Sequence, residues 1–358
     1  MKSLCVYSTF CILLLCGCTT KEYKSLFIGE PEIIKDFNFS SGLEEFNDFY
    51  CDEIGINGVK VVDSLLIVGH PSYWTLINMN DGKHKDILSV GEGPDDFYSL
   101  PRCSSAVYVE LNDSLYAFIP DKTNSRIMHL NVSRSMSDGE TNGITYEKNN
   151  ILKNEVWDVI MCDTASFWMS VPNESFTGFK REICNSDSIY EPEITQEMSR
   201  HTVNENINLL SRVTRYNRAA DKFVEAMVYL NQINIYSRDG KSGKTICVGK
   251  QLDNVNEIED TPRLKLKNTY NSVAAWDMGF GAVYSGHTDM EIETGQTKGS
   301  EIQFFNWDGK PVMRVKFPYE ILSIDLDIDN QVLYVIDAEK DVLRKYNAKP
   351  IIKSYAAV

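Results

Sequence analysis

Lys222-Phe223-Val224-Glu225-Ala226, then after a short loop Ile233-Asn234-Ile235-Tyr236-Ser237-Arg238-Asp239-Gly240-Lys241, reads as two β-strands and a tight turn. Apolar residues recur at period two, as in a strand with a face against a core. Asp-Gly then suits a hairpin, because glycine accepts positive φ without a Cβ clash. The phrase recurs along the chain. Upstream it runs Leu65-Leu66-Ile67-Val68, then Leu76-Ile77-Asn78-Met79-Asn80-Asp81-Gly82-Lys83, and again Leu115-Tyr116-Ala117-Phe118, then Ile127-Met128-His129-Leu130. A weaker copy is Phe167-Trp168-Met169 with Phe179-Lys180-Arg181-Glu182. Downstream come Phe280-Gly281-Ala282-Val283-Tyr284 with Phe304-Phe305-Asn306-Trp307-Asp308-Gly309-Lys310, then Leu333-Tyr334-Val335-Ile336 with Val342-Leu343-Arg344-Lys345.

The anchors Leu65, Leu115, Phe167, Phe223, Phe280 and Leu333 are 50, 52, 56, 57 and 53 residues apart. That period, with four short strands per unit, is close to that of propeller blades. The expected fold is therefore all-β: a single six-bladed β-propeller with four-stranded antiparallel blades over residues 27–358. Inner strands are predicted at 58–62, 106–109, 155–161, 213–216, 272–276 and 322–328. Outer strands are legible in three units, at 87–90, 244–248 and 312–317. Ring closure is expected from 32–39 pairing onto the last blade near 350–355. Helix signal is confined to one turn within 202–212, and the longest irregular insert is 288–300.

The 358 residues carry a net charge of −15, 43% hydrophobic residues and 11% aromatic residues. That is enough apolar material for a core, and no run after the first twenty residues approaches the roughly 20 needed for a membrane helix. An acidic body is repelled by phosphate backbones, which argues against nucleic acid as a partner.

The amino terminus has its own signature. Lys2 precedes an apolar run from Leu4 to Cys16, the length of a signal-peptide core. Leu15-Cys16-Gly17-Cys18 resembles the lipobox of bacterial lipoproteins, departing from it at Cys16, where a small residue is usual. The resemblance implies a signal peptide at 1–17, cleavage before Cys18, acylation of Cys18 and a lipid-attached tether at 18–26. Membrane contact would then be through the lipid. Thr19 in place of aspartate points to the outer membrane of the cell envelope. Five of the nine cysteines remain in the body: Cys51, Cys103, Cys162, Cys184 and Cys247. They read as buried small residues, with a Cys162–Cys184 bridge open within one sheet.

Between the first and second units, Gly91-Glu92-Gly93-Pro94-Asp95-Asp96-Phe97, followed by Leu100-Pro101, resembles the Gly-x-Gly-x-x-x-Phe-x-x-Pro stretch of NHL-type repeats. With the lipobox, the chain resembles the six-bladed TolB-like propeller lipoproteins of Bacteroides-type bacteria, a group largely without assigned activity. The glycines are expected to let the chain cross tightly between blades, with Phe97 filling the interface.

Several constellations invite chemistry. Asp325-Leu326-Asp327-Ile328-Asp329-Asn330 lacks the Gly and Glu of an EF-hand loop and reads as a strand running into an Asp-Asn turn. Asp289, Glu291 and Glu293 alternate as on a solvated strand face. Trp157 and Trp276 read as core tryptophans. His70 and His287 each follow glycine at the end of a second strand and could face one another across a propeller mouth. There is no G-x-S-x-G elbow and no zinc-ligand spacing. Propellers that hydrolyse lactones or phosphoesters around an axial calcium resemble this architecture. Here the inner strands offer Glu155, Asp158, Asn271, Asp277 and Asp325 for such a metal.

The preferred site is the loop rim at one mouth, because loops on a rigid scaffold carry function. The candidate ligand-binding residues are His70, Tyr73, Trp74, Arg102, Lys122, Asn173, Arg212 and His287, with Arg215 nearby. Aromatic faces beside arginine and amide groups suit a glycan or a peptide. The expected function is thus a lipid-anchored envelope binding or scaffold protein engaging a glycan, peptide or protein partner. A calcium-dependent hydrolase is the alternative.

Overall fold

The Asp-Gly dipeptides fall where the alternation puts them. In the computed structural model, Gly82, Gly240 and Gly309 take φ of 71°, 70° and 75° between the third and fourth strands of their units. The structure describes residues 26–358 apart from 38–39, 41, 47–50, 53–54, 138–142, 153–154, 186–187 and 205. The expected leader, Cys18 and the tether up to residue 25 lie outside the described residues.

Two short strands come first, β1 (Glu32–Ile34) and β2 (Cys51–Asp52). The first blade is β3 (Gly58–Val62), β4 (Leu65–Gly69), β5 (Trp74–Asn78) and β6 (His84–Ile87). The second is β7 (Val107–Leu111), β8 (Ser114–Asp121), β9 (Arg126–Asn131) and β10 (Ile144–Lys148). The third is β11 (Asp158–Met161), β12 (Phe167–Pro172), β13 (Phe179–Cys184) and β14 (Ile189–Tyr190). The fourth is β15 (Arg212–Asn217), β16 (Lys222–Met227), β17 (Gln232–Ser237) and β18 (Gly243–Val248). The fifth is β19 (Tyr270–Trp276), β20 (Gly279–Tyr284), β21 (Glu301–Phe305) and β22 (Pro311–Lys316). The sixth is β23 (Ile321–Asp327), β24 (Val332–Asp337) and β25 (Val342–Asn347), completed by β2. The result is six small antiparallel sheets in a ring, a six-bladed β-propeller. Innermost β15 lies beside β19, β19 beside β23, and β23 beside β3, which joins the last blade to the first.

The core is divided among the blade interfaces. Each of the six buried hydrophobic clusters in the described residues sits between two successive blades. Strand alternation does the sorting. On β12, Phe167 and Met169 face the second blade while Trp168 faces the fourth. Each side chain of this kind contributes roughly 1.5–3 kcal/mol on burial. No blade can collect that stabilisation without both neighbours.

Ring closure differs from the sequence expectation. The described part of that segment, residues 32–37, does not reach the last blade: β1 pairs in parallel with β18 at the edge of the fourth, making a five-stranded sheet. The chain then bridges Ser40 to Arg314 on the fifth blade and Glu45 to Tyr346 on the sixth, and β2 closes that blade against β25. The amino-terminal segment is a belt over three outer edges, and it covers strand edges that would otherwise invite pairing with other chains. The expected partner region is not a strand at all. Lys349–Tyr355 forms a helix with Pro350 in its first turn, where a missing N–H costs nothing. It docks on the fifth blade, where the Tyr355 hydroxyl donates to the carbonyl of Phe280 at 3.1 Å or that of Phe305 at 3.2 Å.

Three further expectations are corrected. Asp289, Glu291 and Glu293 lie on a short helix, Asp289–Glu293, rather than a strand. Thr288 and Glu291 form a capping box at its start, and acids in the first turn suit its positive end. Cys162 and Cys184 are free thiols. Cys162 directly follows β11 and Cys184 ends β13, strands that flank β12 about 9–10 Å apart, too far for a bridge. Trp157 is not a core residue, being 44% exposed, whereas Trp276 is buried. The turn within 202–212 appears as Ile207–Leu210, and the Asp325 segment is strand β23 ending in an Asn330–Asp327 turn, as expected.

Candidate functional site

One end of the ring is built from the segments that lead into the inner strands. There a basin of about 490 Å³ opens over the axis. Arg102 reaches it from the connection before β7, and Lys122 from the β8–β9 turn. Trp157 and Asp158 contribute from the start of β11, Arg212 and Arg215 from β15, and Asn271 from β19. Among the described residues the lining carries four cations and one carboxylate, against a chain of net charge −15.

These cations are not equivalent. Arg212 is committed to the protein: it faces buried Glu225 at 3.3 Å, bonds Ser170 Oγ and stacks on Phe179 at 4.5 Å. Glu225 also takes Arg181 in two bonds, at 2.8 and 2.6 Å. Lys122 Nζ donates to the carbonyls of Val156 and Trp157 at 3.1 and 2.9 Å, which fixes the loop carrying the indole. Arg102 is exposed and has no carboxylate partner among the described residues. Arg215 is 8% exposed, donates one bond to its neighbour's carbonyl at Thr214, and has an unpartnered, buried Nε. Burial, reinforced by the nearby Arg102 charge, depresses the Arg215 guanidinium to about 10, so it stays charged at neutral pH. Arg215 also lines a narrow space of about 70 Å³ below, among Lys60, Ser104 and Asp325. It therefore stands as the floor of the basin.

The acceptors are equally defined. Asn271 Nδ2 donates to the Ile321 carbonyl at 2.9 Å, which leaves its buried Oδ1 without a partner. Asp158 Oδ1 accepts from the Val159 amide at 2.9 Å. Trp157 packs edge-on against Phe179, with ring centres 5.4 Å apart, and keeps much of its surface open.

Of the residues singled out in the sequence, Arg102, Lys122 and Arg212 meet in this basin. Trp74 lies behind its wall, buried, with Nε1 bonded to the Pro101 carbonyl at 3.3 Å. His70 is buried in the first blade, stacked on Tyr73 at 4.3 Å and bonded to Thr75. Asn173 closes its own turn through Thr177. His287 sits 2.8 Å from Glu320 and accepts from the Lys298 amide. None of these lines the basin, and the two histidines hold separate partners in different blades. Sequence reasoning missed Trp157 as a lining residue. The available signal was its position directly before an inner strand, like Arg212 at the head of its own.

The donors considered for an axial calcium do not converge. Asn271 and Asp277 stand at opposite ends of β19, about 20 Å apart at strand rise. Asp277 accepts from Asn217, and Glu155 is exposed before β11. Asp325 is engaged by Lys60 at 3.0 Å, the Val61 amide at 2.7 Å and Trp276 Nε1 at 2.8 Å. This donor set does not fit the ion. The Gly91–Phe97 crossing is structural, as expected. Gly93 N–H donates to Asp96, a Cβ at Gly91 would collide with that carboxylate, and Phe97 is fully buried between the first two blades.

No family model matches the chain, and no curated protein matches it in sequence. Solved structures match it in fold. The chain is similar to a member of the DUF4221 family from Bacteroides vulgatus, with TM-score 0.51 and 11% identity over 86% of this chain and 98% of that one. A protein of unknown function from Bacteroides thetaiotaomicron matches with TM-score 0.45 and 11% identity, over 87% of this chain and 75% of the other. At such identities the likeness is one of fold.

Proposed function

We propose that the protein is a binding or scaffold component of a bacterial envelope, held by lipid at Cys18 and engaging its partner at the basin over the propeller axis. The carrying observation is the convergence of Arg102, Lys122 and Arg212 with Arg215, Trp157 and Asn271 on one concave mouth. Pockets of this size with a few placed polar groups are where ligands bind. The lipobox-like Leu15-Cys16-Gly17-Cys18 supports the anchor and the outer-membrane address, and the 91–101 crossing supports a TolB-like, NHL-like kinship. The partner classes that suit the mouth are glycan, peptide and envelope protein.

Co-purification from native membranes tests this reading. Arg102→Ala and Trp157→Ala together should remove a partner that the parent chain retains. An unchanged set of partners would sink it. Calcium provides a second check, since a bound ion stabilises by RT ln(1 + [L]/Kd), about 2.7 kcal/mol at one hundred times Kd. Neither millimolar calcium nor chelator should move the melting temperature. A rise of several degrees would revive the hydrolase reading.

A further inference from the structure

We infer that the basin takes an acidic sugar, a hydroxylated ring bearing one oxyanion group, and this rests on the mouth being the binding site. The lining makes two opposite demands that one ligand must meet. Arg102 and Arg215 face the same space, with no carboxylate among the described residues paired to Arg102 and with the buried Arg215 Nε unpartnered. A guanidinium fork in that state matches an oxyanion. Asn271 Oδ1 is a buried acceptor with its amide end already engaged, and Asp158 presents a second acceptor to the same basin. Acceptors need donors on the ligand, which an isolated carboxylate or phosphate lacks and sugar hydroxyls supply.

The third demand is a flat apolar face. Trp157 is held by its edge against Phe179 and by Lys122 on its carbonyl, yet nearly half its surface is open. A fixed, exposed indole at the rim of a polar basin offers the C–H face of a pyranose a stacking surface. The mutual repulsion of Arg102 and Arg215 gives the anion a further role. Bound between them, it adds to the partial offset that Asp158 and Asp325 already give that like-charge pair. An acidic peptide would satisfy the arginines and could donate backbone N–H groups to Asn271 and Asp158, but it offers no rigid C–H face for the Trp157 indole.

Calorimetric titration of the folded chain with four probes tests the inference: trigalacturonate, glucose 6-phosphate, neutral maltotriose and a glutamate-rich peptide. Trigalacturonate or the sugar phosphate, whichever carries the preferred oxyanion, should bind at least tenfold more tightly than maltotriose. The affinity should fall with added salt and drop at least tenfold in Arg102→Ala and in Trp157→Ala, both exposed positions that leave the blades intact. Asn271→Leu should weaken the acidic sugar while leaving the melting temperature of the ligand-free chain within a few degrees. Equal binding of acidic and neutral sugars overturns the inference, as does Arg102-dependent binding of the peptide alone. If no probe binds but Arg102→Ala still loses a partner from native membranes, the acidic-sugar inference fails and the mouth survives. If that variant keeps every partner, the mouth itself is wrong.

Discussion

A single carboxylate, Asp325, joins three blades at the axis. Lys60 and the Val61 amide reach it from the first blade and the Trp276 indole from the fifth, while β23 carries it in the sixth. Its replacement by alanine leaves a buried N–H pair unmet and a lysine uncompensated, which costs about 3–5 kcal/mol. Urea unfolding of Asp325→Ala should show that loss, with Asp325→Asn intermediate. A change under 1 kcal/mol would mean the axis is held otherwise. Glu225 poses a different question. Burial pushes its carboxyl up, but Arg181 and Arg212 outweigh that and hold it below the usual carboxylate range. A folded value below the unfolded one means its stabilisation is complete above about pH 4.3 and disappears as pH falls through the folded value. The parent should therefore lose stability steeply in acid. Glu225→Gln, weaker at neutral pH, should show a shallower acid limb. Parallel limbs would exclude Glu225 as the source. Of the basin, the arginines were legible because they flank inner strands and have no apolar period. Trp157 was not, because Val156-Trp157 and Val159-Ile160 are apolar pairs on either side of Asp158 and sequence cannot show which ring is left uncovered.

Strands with both faces buried are easy to read here, since each carries apolar residues for two interfaces. β3 falls on its predicted bounds and β15, β19 and β23 within about two residues. The belt was misread for the opposite reason. β1 is three residues long, two of them exposed, and it pairs in parallel, so no alternation specifies its partner. What fixes it is polar and distant: Leu26 O accepts from Gln232 Nε2 and Asn234 Nδ2 at 2.9 and 2.8 Å, and Ile28 N–H donates to Thr245 Oγ1 at 2.7 Å. Leu26 and Ile28 then fill the interface between the third and fourth blades. The helix at 289–293 had a signal that alternation concealed, namely Thr288-x-x-Glu291, the capping-box spacing. The belt makes a prediction of its own. Ile28→Asp places a charge in that interface and withdraws a side chain worth roughly 1.5–3 kcal/mol. Hydrogen exchange should accelerate along β18, whose edge β1 covers, before it changes in β6. Uniform acceleration would show that the belt is not an independent unit.

Because each apolar cluster is shared by two blades, the ring is a closed cycle of interfaces, and a loss at one is transmitted to all. Phe97 offers the cleanest probe. It lies outside the strands, fully buried between the first and second blades among Leu76, Ile87 and Met128. Phe97→Ala should cost about 3–5 kcal/mol through lost burial and the cavity left behind. In an open array of repeats such a loss would stay near its origin. Here the ring is sealed twice, by β2 against β25 and by β23 against β3, so a weakened first interface removes the partner of every other in turn. The five tryptophans are spread over three blades: Trp74 in the first, Trp157 and Trp168 in the third, Trp276 and Trp307 in the fifth. In Phe97→Ala, indole fluorescence from the third and fifth blades should shift its urea midpoint together with the far-ultraviolet circular dichroism, in one transition. If Trp168 and Trp276 keep the parent midpoint while the first blades melt early, the blades are energetically separate and closure adds no cooperativity.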